Sequence, residues 1–201
     1  MSESLNINES LLTCTALLTC HPTTANPAVQ EITVRIGWGY DGALVLTYML
    51  TGDCNRLRIP DVRPQAQIDG LWQHTCFEVF VAPKDSPAYW EFNFSPSSEW
   101  AVYQFRGYRD RAAVEEVAAP PMIAARTTAE RLELNVRLFL PHVFTMPPLR
   151  LGLSTVVEDN HGRLSYWALR HPSGKPDFHH PDTFALEIVP PQKEITEKES
   201  R

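Results

Sequence analysis

The sequence predicts an all-β domain built as an antiparallel β-sandwich. Many short segments alternate apolar and polar residues, which is typical of strands with one buried face. Clusters of glycine, proline, asparagine and aspartate separate these segments, and the 17 prolines scattered along the chain disfavour long helices. Hydrophobic residues make up 43% of the 201 positions, which is enough for a sizeable core. Many short strands joined by such turns are typical of a sandwich.

The predicted strands follow one another at short intervals along the chain. They lie at Leu12–Leu18, Glu31–Trp38, Leu44–Leu50, His74–Val81, Tyr89–Ser95, Trp100–Arg106, Met122–Thr127, Leu132–Leu138, Leu149–Val157, Leu164–Leu169 and Thr183–Val189. Helical periodicity is weak, and the best candidate helix is a short segment around Arg111–Ala118. A single helical turn is expected within Leu138–Phe144.

The chain length suits one domain, which we expect to occupy residues 11–189. Residues 1–10 are expected to form an N-terminal extension, and residues 190–201 a disordered, solvated tail. The net charge is −6 and no cluster of Lys and Arg stands out, so we expect no nucleic-acid partner. No apolar run approaches the length of a transmembrane helix, so we expect no membrane partner.

The beginning of the chain contains Glu3 and Glu9 and no basic residue before its apolar stretch. A secretory signal peptide needs a positively charged start, so the sequence predicts none and we expect a cytoplasmic protein. The four cysteines are Cys14, Cys20, Cys54 and Cys76. They lack paired CxxC spacing, and in the cytoplasm they are expected to be reduced thiols.

The clearest alternation lies in the centre of the chain, between His74 and Arg106. If the three strands there form a meander, one face of the sheet collects apolar side chains for the sandwich core. These side chains are Phe77, Val79, Val81, Trp90, Phe92, Phe94, Tyr103 and Phe105. The opposite face collects His74, Glu78, Tyr89, Glu91, Asn93, Gln104 and Arg106, flanked by Trp72 and Trp100.

This second face combines aromatic rings with short, directional hydrogen-bonding groups. A ring can cover the apolar C–H patch of a sugar while carboxylate, amide and guanidinium groups bond its hydroxyls. Facing side chains on neighbouring strands lie within about 5 Å, so Glu78, Glu91 and Arg106 can form a connected network. The alternative is a solvated face, on which an ion pair contributes roughly 0–1 kcal/mol and Trp72 and Trp100 only cap the sandwich ends.

Three segments of the chain carry a resemblance to a known family. They are DGLWQHTCFEVFV (Asp69–Val81), YWEFNFSPSSEWAVYQFRGYR (Tyr89–Arg109) and YWALRHPSGKPDFHHPDTFALEI (Tyr166–Ile188). They resemble the DOMON-like proteins of bacteria, which are related to the family-nine carbohydrate-binding modules. The resemblance covers the chain from about Leu11 to Val189. It implies a jelly-roll type of β-sandwich and a non-catalytic domain that binds a saccharide or a sugar-containing small molecule.

The resemblance also implies a sugar held between two aromatic rings. In the carbohydrate-binding modules a Trp precedes a strand that carries a Glu, and a second aromatic residue lies late in the chain. Trp72 and Glu78 match the first part. Trp167 is the candidate for the late aromatic residue, with Phe178 as its rival. Because no secretory signal is predicted, an intracellular sugar, sugar nucleotide or cell-wall precursor suits the chain better than a plant polysaccharide.

The segment HPSGKPDFHH (His171–His180) leaves three interpretations open. It can be a structural loop whose Asp177 and histidines cap backbone groups, a rim of the sugar pocket, or a zinc or iron site. Its spacing matches no standard zinc signature. Some DOMON domains bind haem through a Met and a His, but nothing in the spacing of the 4 Met and 7 His links such a pair. We therefore expect no cofactor, and haem or metal binding is an alternative.

Glu78 and Glu91 on adjacent strands also suit a retaining glycosidase, whose carboxyl groups lie about 5–5.5 Å apart. Two arguments oppose catalysis: the loops predicted around the face are short, and Arg106 would lower the pKa of a neighbouring carboxyl. We therefore expect a binding domain, with a glycosidase and a protein-interaction module as alternatives. The predicted ligand-binding residues are Trp72, His74, Glu78, Glu91, Asn93, Trp100, Arg106, Trp167, His171, Lys175, Asp177 and His179.

Overall fold

The computed structural model of the protein describes residues 10–114, 119–144 and 148–191, with the backbone alone for residues 10–13. The expected N-terminal extension and the expected C-terminal tail lie almost wholly outside these ranges. The described part contains strands and short 3₁₀ turns. In chain order the strands are β1 (Ser10–Cys20), β2 (Val29–Gly39), β3 (Leu44–Gly52), β4 (Cys76–Pro83), β5 (Tyr89–Phe94), β6 (Trp100–Phe105), β7 (Arg111–Ala112), β8 (Met122–Thr127), β9 (Arg131–Leu138), β10 (Leu149–Glu158), β11 (Leu164–Ala168) and β12 (Leu186–Ile188).

Each predicted strand has a counterpart, whereas the predicted helix around Arg111–Ala118 is wrong in its described part. Residues Arg111 and Ala112 form β7, because their backbone pairs with Phe105 and Gln104 of β6. The rest of that prediction, residues 115–118, lies outside the described ranges. The helical turn expected within Leu138–Phe144 is a 3₁₀ turn at His142–Phe144.

The strands form two antiparallel sheets joined at β1. The first sheet has the order β8-β9-β3-β2-β1, and the second has the order β7-β6-β5-β4-β10, with β11 and β12 both paired to the other edge of β10. Strand β1 pairs with β2 over most of its length, and its last residues, Thr19 and Cys20, pair with Ala168 and Trp167 of β11. The predicted antiparallel β-sandwich is confirmed.

The main core lies between the two sheets. Apolar side chains of β2, β3 and β9 meet those of β4, β5, β6 and β10. Tyr48 of β3 packs against Phe77 of β4 with ring centroids 5.2 Å apart, and its hydroxyl donates to the backbone carbonyl of Glu78 at 2.7 Å. Each fully buried large apolar side chain stabilises the fold by roughly 1.5–3 kcal/mol. The core therefore holds β4, and the backbone of Glu78, firmly in place.

The outer faces of the two sheets differ. In β9 of the first sheet, buried and partly exposed residues alternate, as in a sheet with one solvated face. In β5 of the second sheet every residue is buried, so both of its faces are covered. A second apolar cluster lies on this outer face and includes Phe80, Tyr103 and Phe105. The alternation of YWEFNF therefore does not separate core from water, because it separates two buried environments.

Two loop segments, residues 66–74 and 171–185, cover the outer face of the second sheet, and we call them the roof segments. In the first, the backbone N–H of Gly70 donates to the Tyr103 hydroxyl at 3.2 Å. In the second, Phe184 packs on Phe80 at 5.8 Å between ring centroids. At Gly152 of β10 an added Cβ would lie 3.3 Å from the Cβ of Phe80, which is a tight contact, so the glycine leaves room for the packing around Phe80. The roof segments turn one sheet face into a buried layer.

Candidate functional site

A pocket of about 390 Å³ lies between the outer face of the second sheet and the roof segments. Strands β4, β5 and β10 supply its floor, with Glu78 and Phe80, Glu91, and Val156. The β6–β7 hairpin and the roof segments supply the walls. Its volume lies at the lower end of the roughly 300–1,000 Å³ typical of small-molecule sites, so it suits a ligand of one or two sugar rings.

Two carboxyl groups lie at the floor of the pocket. Glu78 pairs with Asn93 and Glu91 pairs with Phe80, so both carboxyls stand on the outer face of the sheet. Both residues are almost fully buried, with exposed fractions of 2% and 5%. Ser154 donates to Glu78 at 2.9 Å, and the amide nitrogen of Asn93 donates to Glu91 at 2.9 Å. The sequence predicted this pair correctly.

Burial disfavours the charged form of both acids. It raises the pKa of Glu78 well above its usual range, and the neighbouring Glu91 adds to this effect. Burial also raises the pKa of Glu91 to about 7, although the hydrogen bond from Asn93 and the charges of Arg111 and Arg109 act in the opposite direction. Burial therefore favours the neutral form of Glu78, which can donate a hydrogen bond, whereas Glu91, with a pKa of about 7, titrates near neutrality.

His179 from the second roof segment closes one side of the pocket above Glu91. Burial lowers its pKa to about 4, so its ring is neutral at pH 7. The backbone N–H of Arg109 donates to the Tyr89 hydroxyl at 3.1 Å, and that hydroxyl lies 2.9 Å from His179 Nδ1. Because the Tyr89 hydroxyl already accepts from Arg109, donation of its proton to Nδ1 is favoured, and the ring proton is then on Nε2, which lies 3.7 Å from Glu91 Oε2.

Two arginines that follow β6 form the cationic wall of the pocket. Arg109 donates to Asp177 at 2.7 Å, which ties the β6–β7 hairpin to the second roof segment. The guanidinium of Arg111 lies over the Tyr103 ring, 4.4 Å from its centroid. The Tyr103 hydroxyl donates to Asp69 of the first roof segment. Both arginines therefore sit in defined positions although their side chains reach solvent.

Aromatic side chains line the mouth of the pocket. Trp72, on the 3₁₀ turn Leu71–Gln73, is 51% exposed. Phe178 from the second roof segment is half-buried and packs edge-on against Tyr166 of β11, at 6.0 Å between centroids. A large apolar ring left half-exposed at a pocket mouth is available for stacking on a ligand. Of the two candidates for the late aromatic residue, Phe178 is the one that lines the pocket.

The predicted face of β6 is wrong. Tyr103 pairs with Glu91 and therefore faces the pocket, whereas Trp100 pairs with Phe94 and is buried in the main core. Arg106 lies beyond the end of β6 and is exposed, where it pairs with Asp110 at 2.8 Å. Neither Trp100 nor Arg106 lines the pocket. The guanidinium groups at the pocket belong instead to arginines further along the hairpin.

Trp167 also lies elsewhere than predicted. It pairs with Thr155 of β10, which places its indole in the main core, and its Nε1 donates to Ser165 at 3.2 Å. His74 hydrogen-bonds to Glu158 at 2.7 Å at the edge of the first roof segment. His171 donates through Nε2 to the backbone oxygen of Thr19 at 2.8 Å. These three side chains stabilise the fold and do not line the pocket.

Two other predicted residues lie next to the pocket, in the second roof segment. Asp177 accepts hydrogen bonds from Arg109 and from the Tyr108 hydroxyl, the latter at 2.6 Å. Lys175 and Asp177 border a neighbouring depression that shares Arg109 with the pocket. Asp177 thus positions a pocket residue without lining the pocket itself.

Sequence reasoning missed several pocket residues. The missed residues are Phe80, Tyr103, Phe105, Arg109, Arg111, Val156, Tyr166 and Pro176. For the two arginines a signal was present, since Arg109 and Arg111 flank the acidic residue of a tight turn directly after a strand. The others required the direction of β6 and the fold-back of the second roof segment, which no local pattern reveals.

Within the described ranges, no three His, Cys, Asp or Glu side chains are grouped so that they could hold a metal ion. The same ranges contain no helix with the length and apolar character needed to cross a bilayer. All four cysteines are free thiols in the structure.

Comparison with known proteins finds solved structures with a similar fold. No protein-family model matches the chain, and no curated protein is significantly similar to it in sequence. A crystal structure of a "putative carbohydrate-binding protein" from Bacteroides uniformis is similar with a TM-score of 0.59 and 16% identity, over 85% of this chain and 83% of that one. A family-nine carbohydrate-binding module from Caldicellulosiruptor kristjanssonii, in complex with glucose, has a TM-score of 0.55 and 10% identity, over 97% and 92%.

These similarities concern the fold. The β-sandwich of this chain is similar in fold to that of a family-nine carbohydrate-binding module, and it agrees with the sandwich that the three sequence segments implied. At such low identity, the similarity carries no residue-level information about ligand binding. What the chain binds has to be argued from its own pocket.

Proposed function

We propose that the chain binds a saccharide of one or two rings in the pocket beneath the roof segments, without chemical conversion of the ligand. Trp72 and Phe178 would cover the apolar faces of the sugar ring at the pocket mouth. Glu78, Glu91 and the two wall arginines would exchange hydrogen bonds with its hydroxyls. Asn93 and Asp177 would act indirectly, because they hold Glu91 and Arg109 in position.

The observation that carries this proposal is the composition of the pocket floor. A buried carboxyl whose neutral form is favoured, a carboxyl that titrates near neutrality and a neutral imidazole lie together among aromatic rings. Such a set offers both donors and acceptors, which hydroxyl groups require because each hydroxyl donates and accepts. Burial of such polar groups is unfavourable unless they are paired, and ligand hydroxyls would pair them. The related folds that bind carbohydrate support the same assignment.

Replacement of the aromatic side chains at the mouth tests the proposal. We expect Trp72→Ala and Phe178→Ala to weaken binding of the tightest sugar, found in a thermal-shift panel of mono- and disaccharides, by at least tenfold. Isothermal titration calorimetry measures the affinity. Because Trp72 is half-exposed, its removal should lower the free energy of unfolding by less than about 1 kcal/mol.

Tyr40→Ala is a matched control, because Tyr40 is an exposed aromatic residue on the β2–β3 turn and lies outside the pocket. It should leave sugar affinity unchanged. Equal losses of stability and binding in Trp72→Ala would make Trp72 a packing residue. Absence of binding by any sugar of the panel at millimolar concentration would overturn the proposal itself.

A glycosidase is the second candidate function, and the structure strengthens it relative to the sequence. The two arguments against catalysis were short loops and a lowered carboxyl pKa, yet the roof segments build a pocket over the two acids and the pKa of both is raised. Glycoside hydrolysis pairs a general acid of raised pKa with a second carboxyl that is ionised, and here Glu78 would be the acid and Glu91, which titrates near neutrality, its partner. Release of chromophore from nitrophenyl glycosides, abolished by Glu78→Gln and by Glu91→Gln, would support this candidate. A rate equal to that of buffer would exclude it for the glycosides tested.

A further inference from the structure

The wall of the pocket carries more positive charge than a neutral sugar needs. Both Arg109 and Arg111 line the pocket, on the single hairpin between β6 and β7. A third arginine of the same hairpin, Arg106, is exposed and forms an ion pair with Asp110 outside the pocket. The hairpin therefore directs two of its guanidinium groups inwards and one outwards.

Arg111 has its charge available to a ligand. In the described part of the chain, Arg111 forms no ion pair within 4.0 Å; its guanidinium lies over the Tyr103 ring, and its charge also helps to lower the pKa of Asp69. Tyr103 itself is held by Asp69 and by the backbone of Gly70. A guanidinium that rests on an aromatic ring keeps its N–H groups at its edge, where they can bind a planar or tetrahedral anion.

Arg109 is fixed beside it by different contacts. Its backbone is in the left-handed region, with φ 55°, which is uncommon for a residue other than glycine. The conformation is maintained because its N–H donates to Tyr89 and its side chain donates to Asp177. Asp177 bonds one terminal nitrogen of the guanidinium, so other N–H groups of Arg109 remain free to donate. Asp177 offsets part of the positive charge of Arg109, and Arg111 supplies the other positive charge of the wall.

The floor of the pocket does not cancel the positive wall. Glu78 is buried against Ser154 and Asn93, an environment that favours its neutral form. Glu91 is the one acid at the floor that ionises near neutral pH. An anion bound at the wall would face two guanidinium groups and the titrating carboxyl of Glu91, while the carboxylates of Asp69 and Asp177 lie beside the arginines but outside the pocket lining.

On the premise that the pocket binds a saccharide, we propose that this ligand carries an anionic substituent, a carboxylate or a phosphate, which Arg109 and Arg111 hold at the pocket wall. The sugar ring would lie against Trp72 and Phe178, and the anionic group would point towards the β6–β7 hairpin. A uronic acid and a sugar phosphate share this chemistry. The two guanidinium groups would bond the substituent from adjacent directions, which discriminates it from a hydroxymethyl group.

The test compares charged and neutral sugars on the purified full chain at one fixed ionic strength. Isothermal titration calorimetry measures the affinities of glucuronate, galacturonate, glucose 6-phosphate and glucose 1-phosphate against those of glucose and galactose. We expect at least one anionic sugar to bind ten or more times more tightly than its neutral counterpart. Preference for the uronates would identify a carboxylate as the substituent, and preference for the phosphates would identify a phosphate.

Two variants localise the effect. Arg111→Gln should reduce the preference for the anionic sugar to less than threefold, and Arg109→Gln should weaken it similarly. Arg106→Gln removes the same charge from the same hairpin outside the pocket, so it should leave the preference intact. Thermal unfolding checks that each variant folds, and a loss of preference in Arg106→Gln equal to that in Arg111→Gln contradicts the assignment.

The outcomes separate this inference from the proposed function. Tight binding of glucose or galactose with no gain from a carboxylate or phosphate overturns the inference and leaves saccharide binding in place. Binding of inorganic phosphate as tightly as of a sugar phosphate also overturns it, since the wall would then be an ion site only. Failure of every sugar in the panel to bind overturns both proposals.

Discussion

Asn93 shows how one buried side chain can report the protonation state of another. Its amide nitrogen donates to Glu91, while its buried Oδ1 receives no hydrogen bond. An acceptor left unpaired in the interior is unfavourable by about 1–3 kcal/mol. Glu78 is the cross-strand partner of Asn93 on the same face, and burial favours the protonated form of its carboxyl. A protonated Glu78 can donate to Asn93 Oδ1 while it accepts from Ser154, which satisfies each group.

This arrangement predicts that an amide replaces Glu78 well. In Glu78→Gln the new NH₂ group can donate to Asn93 and the amide oxygen can accept from Ser154. We expect Glu78→Gln to change the free energy of unfolding by less than about 1 kcal/mol, and Glu78→Ala to lower it by about 3 kcal/mol. Urea denaturation at pH 7 measures both. If the Gln variant loses as much stability as the Ala variant, Glu78 is ionised in the native protein.

Glu91 makes the stability of the protein depend on pH. Its pKa rises from an ordinary value of 4.5 to about 7 on folding, so the native state binds its proton more tightly than the unfolded state does. The stabilisation is therefore fully present below pH 4.5 and is lost as the pH rises through 7. His179 opposes this dependence at lower pH, because its pKa falls from 6.5 to about 4 and its contribution is lost as the pH falls through that range.

Comparison with Glu91→Gln isolates the contribution of Glu91. We expect the stability of the wild-type chain, relative to this variant, to decrease by roughly 3 kcal/mol between pH 5 and pH 8. Glu78, His179, Arg109, Arg111 and Asp69 face or influence the same carboxyl and remain present in both proteins. Urea midpoints across this pH range provide the measurement. A difference that stays constant from pH 5 to pH 8 would show that Glu91 is ionised throughout.

At the scale of the strand, alternation predicts well where the strands lie. It predicts less evenly which face of the sheet each side chain occupies. The faces of β4 and β5 were predicted correctly because Glu78, Glu91 and Asn93 mark one face of each strand as polar. In β6, apolar residues occupy both faces, with Trp100 and Val102 on one side and Tyr103 and Phe105 on the other. The one polar residue of β6, Gln104, lies on the side of Trp100 and Val102, so the alternation marked the core side as the polar face. The rings of Tyr103 and Phe105 were assigned to the main core, but they lie on the outer face of the sheet.

The structure of the hairpin after β6 could not be predicted from local sequence patterns, for a different reason. The short segment Arg111–Ala112 has no strand-like composition and becomes a strand because β6 offers it an open edge. Arg109 adopts a left-handed backbone conformation, which the sequence does not predict because this conformation is uncommon for arginine. The inward direction of Arg109 and Arg111, and the outward direction of Arg106, follow from this turn. The arginines of the site were therefore assigned to the wrong position, although the need for a guanidinium group was predicted.

At the scale of the whole molecule, the two sheets differ in how their outer faces are covered. The first sheet has a solvated outer face and contributes one half of the core. The second sheet is covered on both sides, and its outer layer holds the pocket. The sequence reflects this difference: RLELNVRL in β9 alternates apolar and polar residues, whereas CFEVFVAP in β4 has apolar residues on both faces, with Glu78 as its one polar side chain. A strand with apolar residues on both faces indicates that both faces are covered. In this molecule the covered outer face holds the pocket.

This division predicts which part of the chain responds to a ligand. The roof segments, residues 66–74 and 171–185, contact the pocket from loops, whereas the first sheet lies on the far side of the main core. Loops with few buried contacts open locally at a low free energy, and a ligand that binds only the closed form raises that energy. We expect saturating amounts of the tightest-binding sugar to slow amide hydrogen exchange by at least fivefold in the roof segments. Exchange in β8 and β9 should change by less than twofold.

The β2–β3 turn around Tyr40 serves as an internal control, because it is an exposed loop outside the pocket. Its exchange should be unaffected by the sugar. Protection that spreads evenly over both sheets would mean that the sugar stabilises the fold globally, without a local closure of the roof. Protection confined to the first sheet would place the binding site on the opposite face of the sandwich and would remove the basis for assigning the buried acids to a ligand.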